Sequence, residues 1–390
     1  MVEYSNRLPP ARSSPGIILK NSLRYKYTYI HEMKYYLVLV AIFKNETAIL
    51  QEWLEHYFME GVDHIYLIDN GSEDQPQRIL APYVREGTVE YHVDPRPHMQ
   101  TGHYNSYLDQ VKRDAEWVIV VDLDEFIYSR LQFTTIADYL KSVESTVSQI
   151  YIPWKLFGSS GWLEQPANCL DHFIHRTLYN HVKTNGMRDA DHMFIKTIVR
   201  TKYLTRMEIH CSGIQAPSVN VQQITSDGQP ADLVDPSFQS ISEEILKKSA
   251  LHLNHYPIQS YEWFRRVKMP RGSAAMAVND KVRTIGYYNS FDSHSNQIID
   301  EELCRKHNQI KVYYGAGVYF DVTRKVLNHF RQVDPVTRVV RIVIDDQVKF
   351  NEFFGDPCPG KVKNLVVRQK SRLTIYPETK HGPITIIVQP

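Results

Sequence analysis

The stretch WVIVVDLDEF, residues 117–126, decides the fold because an apolar strand runs directly into three carboxylates. Its first five residues carry no charge and predict a strand buried on both faces, as in a parallel sheet covered by helices. Asp122, Asp124 and Glu125 then gather negative charge where the strand ends. Charge of this kind is unusual after a core strand unless a ligand meets the chain there. The stretch therefore predicts a ligand site at the end of an interior strand.

Strands and helices alternate before this stretch. Strand patterns occur at YYLVLVAIF, HIYLIDN and TVEYHV, and helical patterns follow them at NETAILQEWLEHYFMEG, PQRILAPYVREG and HYNSYLDQVKRDA. In the first of these helices Ile49, Trp53 and Tyr57 recur at helical spacing, and Gly61 is a stop signal. The alternation predicts an α/β fold with a mostly parallel central sheet. Ligands of such sheets bind at the carboxyl ends of the strands, near a switch in strand order.

Polar residues cluster at three of the predicted strand ends. Those that follow the first, second and fourth strands are Lys44, Asn45, Glu46, Asp69, Asn70, Ser72, Asp122, Asp124 and Glu125. Two Asp separated by one residue can present oxygens to one hard cation, Mg²⁺ or Mn²⁺, and the diphosphate of a ligand completes its coordination. A solvated acidic turn is the alternative interpretation. The position after a buried strand favours the cation site.

The pattern changes after residue 150. Strands are predicted at QIYIPWKLFGSSGW, MFIKTIVRTKYL and EIHCSGI, and residues 215–240 form a polar insertion. ALHLNHYPIQSYEWFRRVKMPRGSA predicts a strand followed by a basic helix. From about Gly315, short strands between Gly and Pro turns predict a β-rich, sandwich-like region. We expect a flexible arm at residues 1–34, an α/β domain at 35–312 and a β-rich C-terminal domain of unknown role at 313–390.

Composition excludes several classes of protein. The sequence of 390 residues has 45 Lys and Arg against 44 Asp and Glu, and this balance argues against nucleic acid as a partner. Four widely spaced cysteines predict neither a disulfide framework nor a zinc site. No signal-peptide core or membrane-length apolar run is found. We therefore expect a soluble, cytoplasmic protein without a transmembrane segment.

The segments LVAIFKNETAILQEWLEHYFMEGVDHIYLIDNGSED, VVDLDEF and LNHYPIQSYEWFRRVKMPRG resemble the family 92 glycosyltransferases and their family 2-like relatives. The resemblance is specific in residues 36–127 and thinner to about residue 310. It implies a GT-A fold, a UDP-linked sugar donor, a divalent metal, usually Mn²⁺, and inversion at the anomeric carbon. The first hypothesis is therefore an enzyme that transfers a hexose, galactose among the candidates, from a UDP-sugar to a glycan or glycoconjugate acceptor.

The resemblance also implies roles for individual residues. Asp69 matches the carboxylate that reads the uracil edge, and Asn45 and Glu46 match the pair that closes the first strand around the nucleotide. The residues expected to bind the nucleotide sugar are Asn45, Glu46, Asp69, Asn70, Tyr104, Asn105, Asp122, Leu123 and Lys268. The expected metal ligands are Asp122, Asp124 and His255, with Asp124 the direct ligand and with His252 and His210 as alternative histidines.

The acceptor side is less defined by the sequence. An inverting transfer needs a general base near the acceptor hydroxyl, and no spacing rule selects it among Glu164, Asp171, Asp189 and Asp191. Trp154 and Trp162 flank a Gly/Ser turn where aromatic rings could stack on an acceptor sugar, although core packing is the alternative. A basic cluster that could steady the diphosphate is formed by Arg265, Arg266, Lys268 and Arg271.

Two further functions remain open at this point. One is a catalytically silent glycan-binding protein that keeps the GT-A fold, against which the presence of Asp69, Asp122 and Asp124 argues. The other is a nucleotidyltransferase. That class needs a glycine-rich loop after the first strand to hold a triphosphate, and FKNETA has no glycine.

Overall fold

The computed structural model describes residues 33–179, 192–215, 221–231, 237–277, 282–308, 310–334, 339–369, 372–379 and 382–388. Nearly all of the predicted N-terminal arm lies outside these ranges. Two of the predicted general bases, Asp189 and Asp191, lie outside them as well.

Within the described ranges, fourteen strands precede the C-terminal region, and ten of them form the central sheet. The strands are β1 (Tyr35–Phe43), β2 (His64–Asp69), β3 (Val89–Val93), β4 (Ala115–Val120), β5 (Glu125–Ser129), β6 (Val147–Leu156), β7 (His175–Arg176), β8 (His192–Arg200), β9 (Leu204–Arg206), β10 (Gly213–Ile214), β11 (Gln222–Thr225), β12 (Phe238–Ser240), β13 (Leu251–His255) and β14 (Ile298–Ile299).

Short helices connect these strands. They are α1 (Thr47–Met59), α2 (Gln77–Arg85), α3 (Gln100–Asn105), α4 (Leu108–Asp114), α5 (Ile136–Ser142), α6 (Glu243–Lys248), α7 (Tyr261–Trp263), α8 (Ile285–Ser295) and α9 (Glu302–His307), with a 3₁₀ turn at Thr201–Tyr203 and a π-helix at Phe264–Lys268. Among the helices of the described ranges, none is long and apolar enough to cross a membrane.

The central sheet is mixed and mostly parallel. Its strand order is β3-β2-β1-β4-β8-β6-β13-β5, with β11 beside β6 and β12 beside β8. β1 pairs in parallel with both β2 and β4, whereas β8 runs antiparallel to its two neighbours in this order. The chain turns from β1 to β2 on one side and reaches β4 on the other, so the switch in strand order lies between β1 and β4. The predicted α/β fold with a mostly parallel central sheet is confirmed.

Both faces of the central sheet are covered, and this explains the unbroken apolar run of β1. Leu37, Leu39 and Ala41 face a core that includes α1, and the residues between them face a second core that includes Tyr107 and Val111 of α4. Every residue from Leu37 to Phe43 is buried. A strand with two covered faces has no solvent side on which polar residues would alternate.

The free edge of β5 is covered by side chains of α1. The Tyr57 hydroxyl accepts a hydrogen bond from Ile127 N at 3.1 Å and donates one to Glu125 O at 3.0 Å. Trp53 Nε1 donates to Glu125 O and to Asp122 O, both at 3.2 Å. These contacts satisfy main-chain groups that an edge strand would otherwise leave without partners. They also tie α1 to the loop that carries the two aspartates.

The same helix face continues this pattern to its carboxyl end. His56 Nε2 lies 2.7 Å from Ile127 O, and the Glu60 carboxylate accepts from Ser129 N at 3.2 Å. Gly61 then ends the helix with φ of +88°, as the sequence predicts. A Cβ there would lie 2.7 Å from the Cβ of Ala137, so the close approach of α5 also requires glycine.

Several predicted elements differ from the observed ones. The strand predicted at residues 117–121 is present as β4, which ends at Val120, but the carboxylates that follow it lead into a second strand, β5, which begins at Glu125 and pairs with β13. The third predicted helix is split into α3 and α4. The supposed polar insertion at 215–240 contributes β11 and β12 to the central sheet. EIHCSGI is a strand only at Gly213–Ile214, since residues 208–212 form bends and coil.

The C-terminal region forms two antiparallel sheets, of four and three strands. They contain β15 (Lys311–Ala316), β16 (Val318–Asp321), β17 (Arg331–Val333), β18 (Val340–Ile344), β19 (Asn364–Gln369), β20 (Arg372–Pro377) and β21 (Ile384–Val388), with helices α10 (Thr323–Phe330) and α11 (Phe350–Phe354). Val312 and Leu365 of one sheet and Ile342 and Ile384 of the other share a single core. The predicted β-rich region is present.

Candidate active site

The two ends of the predicted site flank the carboxyl end of β1. Asp69 is paired with Phe43 across β1 and β2, and Val120 is paired with Val40 across β1 and β4. Asp122 therefore emerges on the opposite side of β1 from Asp69, about two strand spacings or 10 Å away. Asp122 and Asp124, which follow β4, and Asp69 at the end of β2 therefore lie at the same edge of the sheet, at the switch in strand order.

Asp69 is fully buried, and both of its oxygens accept hydrogen bonds. Ser72 N donates to Oδ1 at 2.7 Å, and the Tyr91 hydroxyl donates to Oδ2 at 2.6 Å. Asn45, which has φ of +57°, donates its N–H to Ser72 Oγ at 2.9 Å. Asn70 instead holds the main chain through the carbonyls of residues 94 and 96. The ends of β1 and β2 are thus locked together by this loop.

Asp122 is held by three side chains. Lys196 Nζ donates to Oδ2 at 3.0 Å, while Gln100 Nε2 and the Tyr104 hydroxyl donate to Oδ1 at 3.1 and 3.2 Å. Burial alone would raise the pKa of Asp122, but the charge of Lys196 holds it below its usual value. The predicted contact residue Asn105 does not reach this site, because its side chain binds the main chain at Thr101 and Met207.

Asp124 is almost completely buried, with 2% of its surface exposed. Lys268 Nζ donates to its Oδ2, and His255 Nε2 lies 3.5 Å from its Oδ1. Burial opposes ionisation, yet the Lys268 charge holds the pKa of Asp124 well below its usual range. Burial lowers the pKa of His255, so its imidazole is neutral at physiological pH. Asp124 is therefore an anionic carboxylate beside a neutral imidazole.

Glu125 lies inside the protein rather than on the polar rim. It is fully buried, and its Oε2 accepts from Asp122 N at 2.8 Å and lies 3.2 Å from Lys196 Nζ. Burial raises the pKa of Glu125 to about 8. Sequence analysis missed Lys196. Its signal was a lysine inside the apolar strand MFIKTIVR, where a charged residue needs a buried partner.

A second group of cations borders Asp124. Arg271 forms an ion pair with buried Glu46 and also donates to Lys44 O at 3.0 Å. Arg283 donates to Gly272 O. The π-helix that carries Lys268 brings this basic segment over the end of β1. The sequence identified Lys268 and Arg271, whereas nothing in its spacing pointed to Arg283.

The residues around Asp124 fit a hard divalent cation. Asp124 Oδ1 and His255 Nε2 are neighbouring oxygen and nitrogen donors, and a neutral imidazole is the form that binds metals. No three His, Cys, Asp or Glu side chains converge on one point in the described ranges. Ions of this kind commonly keep waters and take phosphate oxygens beside one or two protein ligands.

The two alternative histidines, His252 and His210, make their contacts with other groups. His252 Nε2 is 2.8 Å from Leu246 O, and its Nδ1 is 3.2 Å from Glu302. His210 stacks on Phe194 with ring centroids 4.4 Å apart. Burial lowers the pKa of both histidines to about 4. In the described ranges, neither histidine forms a hydrogen bond or an ion pair with an aspartate of the D-x-D stretch, although His210 packs 5.4 Å from Trp154.

The residues predicted to bind or activate the acceptor differ in whether they lie near Asp124. Trp154 packs against His255 with ring centroids 4.1 Å apart and the rings tilted by 50°, so it borders the Asp124 site. Trp162 is 40% exposed and donates its indole N–H to His172 O. Glu164 is exposed. Asp171 accepts from Asn168 at 2.9 Å and is not brought to the aspartates. Of the two tryptophans predicted to bind the acceptor, Trp154 is the one that borders the site.

One cavity of 860 Å³ lies away from these carboxylates. It opens between the far end of β5 and the C-terminal sheets and is lined by Tyr128, Ser129, Arg130, Lys306, Arg331 and Val340, among others. Its cations already have partners, such as Glu302 for Arg130 and Glu60 for Lys306. We therefore take the end of β1, and not this cavity, as the candidate active site.

The sequence pattern of glycosyltransferase family 92 matches residues 38–284. The chain belongs to glycosyltransferase family 92. The resemblance inferred from the D-x-D stretch and its flanking segments is thereby confirmed.

Two plant proteins described as glycosyltransferase family 92 members are similar to this family 92 chain. One, from Arabidopsis thaliana, is 28% identical over 130 residues, which are 32% of this chain and 22% of that protein.

The other, from Ricinus communis, is 24% identical over 140 residues, or 35% of this chain and 25% of that protein. The match thus spans about a quarter of these relatives.

Among solved structures, S. aureus TarS with UDP-GlcNAc has a TM-score of 0.29 at 14% identity, over 70% of this chain and 72% of TarS. GalNAc-T7 with UDP, GalNAc and Mn²⁺ has a TM-score of 0.31 at 10% identity, over 57% of this chain and 44% of GalNAc-T7.

Proposed function

We propose that this family 92 chain is a metal-dependent, inverting glycosyltransferase that transfers a hexose from a UDP-sugar to a glycan or glycoconjugate. The observation that carries the proposal is the pair formed by Asp124 and His255, 3.5 Å apart, beside a cluster of cations at the switch in strand order. We further propose that residues 35–312 form the catalytic domain and that residues 313–390 form a separate β-rich domain.

The nucleotide would lie across the end of β1. Asp69 offers a buried carboxylate to the base, in a loop fixed by Asn45 and Ser72. Tyr104 and Asp122 border the path from that loop towards Asp124. These groups are already oriented by hydrogen bonds, so little side-chain entropy would be lost when the donor binds.

The charges around Asp124 support a role for a divalent cation. The charged side chains of this region are Glu46, Asp122, Asp124, Glu125, Lys196, Lys268, Arg271 and Arg283. The four carboxylates balance the four cations, and one positive charge is left in excess when Glu125 is protonated. A diphosphate, with about two negative charges, needs additional positive charge in a site of low dielectric.

Asp124 and His255 would hold this ion, Mn²⁺ or Mg²⁺, with Asp122 beside them. A bound divalent cation supplies stabilisation for the negative charge that develops on the departing UDP. Lys268 and Arg271 lie where they can neutralise the remaining phosphate charge. The protein's own contribution is to fix these cations and to exclude water from the buried carboxylates.

The acceptor would approach from the side of Trp154, a half-buried ring that packs against His255 and would stack on a sugar. The general base must remove the proton of the acceptor hydroxyl on the side opposite UDP. Asp191, Glu164 and Asp171 remain the predicted candidates for this role. An acceptor saturation experiment on variants of each residue would select among them.

The proposal is tested by incubating the purified chain with Mn²⁺ and each UDP-sugar, with and without sugar acceptors, and measuring released UDP. One donor should be turned over, and Asp124→Asn should reduce the rate by at least about a hundredfold. Asp109→Asn, an exposed carboxylate of α4, is the matched control and should change nothing. Binding of UDP without turnover of any donor would favour a silent glycan-binding protein instead.

A further inference from the structure

The two oxygens of Asp124 face two different groups, and one of these groups conflicts with a bound cation. Lys268 Nζ occupies one carboxylate oxygen, and His255 Nε2 faces the other. Lys268 is 7% exposed, and its ammonium also lies 5.8 Å from the centre of the Trp263 ring. In this arrangement the lysine already provides the positive charge that a metal would bring to Asp124.

A divalent ion on Asp124 and His255 would lie within a few ångströms of the Lys268 ammonium. Like charges at such short range repel strongly in a buried site. Arg271 and Arg283 stand nearby and offer the lysine no alternative carboxylate, because Glu46 is already bound to Arg271. The diphosphate of the donor is the anion that can receive Lys268 once it leaves Asp124. Lysine suits this exchange because its stem is flexible and its charge is compact.

We propose that Lys268 stays paired with Asp124 and opposes metal binding until the donor arrives, so that metal and UDP-sugar bind cooperatively. The proposal rests on the proposed function. The metal alone must displace the lysine from its carboxylate, whereas the metal with a diphosphate supplies the lysine with a new partner. Each ligand therefore raises the affinity of the other, by the same factor in both directions. Lys268 is a positioning residue in this scheme.

The test measures Mn²⁺ binding in the absence of nucleotide, by the electron paramagnetic resonance of free Mn²⁺. Lys268→Gln should bind Mn²⁺ about ten- to a hundredfold more tightly than the wild type, the range expected for one charge-assisted hydrogen bond. Lys248→Gln makes the same substitution at a lysine of α6 whose side chain is 65% exposed, and it should leave the affinity unchanged. Mn²⁺ binding to Lys268→Gln that is no tighter than to the wild type would overturn the proposal.

The factor by which UDP tightens Mn²⁺ binding gives a second readout. It should be large in the wild type and should shrink towards one in Lys268→Gln, while Lys268→Arg keeps most of it. If the factor is the same in Lys268→Gln and the wild type while Asp124→Asn abolishes it, the cooperative role of Lys268 fails and the proposed function stands. If the wild type shows no Mn²⁺-dependent UDP binding, both proposals fail.

Discussion

Tyr57→Phe removes one oxygen atom from the contact between α1 and β5. The Tyr57 hydroxyl is the hydrogen-bond partner found for Ile127 N, whereas Glu125 O keeps the indole of Trp53. The variant therefore leaves one buried N–H unsatisfied, which costs about 1–3 kcal/mol, and creates almost no cavity. We expect the free energy of unfolding to fall by about 2 kcal/mol.

Equilibrium urea unfolding measures this loss, and hydrogen exchange of residues 125–129 locates it. The Ile127 amide should lose protection, while strands on the other side of the central sheet keep theirs. Tyr139→Phe is the matched control, because Tyr139 is a buried tyrosine of the same core for whose hydroxyl no hydrogen bond is found in the described ranges. Equal stability and equal protection of the two variants would refute the role given to Tyr57.

Three further predictions concern charge and backbone. Lys196→Met leaves two carboxylates without their buried cation and should lower the free energy of unfolding by about 3–5 kcal/mol, measured by urea unfolding. The pKa of Glu302 is lowered from 4.5 to about 2, against burial, by His252 and nearby cations. Its stabilisation is thus present above pH 4.5 and lost as pH falls towards 2. Glu302→Gln should therefore remove part of the loss of unfolding free energy at acid pH, measured by unfolding at several pH values. At pH 7 the variant should lower the free energy of unfolding by about 1 kcal/mol, a value reduced for the partial exposure of Glu302. Gly61→Ala should destabilise the protein by about 1–2 kcal/mol more than Gly87→Ala, because only Gly61 has a neighbour in contact range.

Most of the fold could be predicted from the sequence because local patterns determine it. Apolar strands and amphipathic helices alternate from Tyr35 to Val121, and each of these strands exists in the structure. The break between β4 and β5 could not be predicted in this way. Val121, Leu123 and Phe126 are all buried, so the apolar pattern continues across a turn that depends on the pairing of β5 with β13.

The carboxylates of the candidate site could be predicted from the sequence, and Lys268 and Arg271 could be predicted as part of a basic cluster, but Lys196 and the pairing of Lys268 with Asp124 could not. Asp69, Asp122 and Asp124 stand at strand ends, where one rule of α/β sheets places ligands. Their partners Lys196 and Lys268 come from elements that are distant along the chain and meet them through tertiary packing. A sequence can show that a lysine in an apolar strand needs a counter-charge, but it cannot show which carboxylate supplies it.

The contact of α1 with β5 has a consequence for how the chain folds. Before α1 docks, β5 (EFIYS, residues 125–129) is a short, mostly apolar strand with unpaired main-chain amides on its free edge. Such edges can pair with strands of other chains and form intermolecular sheets. Docking of α1 covers this edge with its side chains. Because α1 lies more than sixty residues earlier in the chain, it is already synthesised when β5 emerges. Variants that weaken this helix should therefore lose yield to aggregation during refolding before they lose the native state.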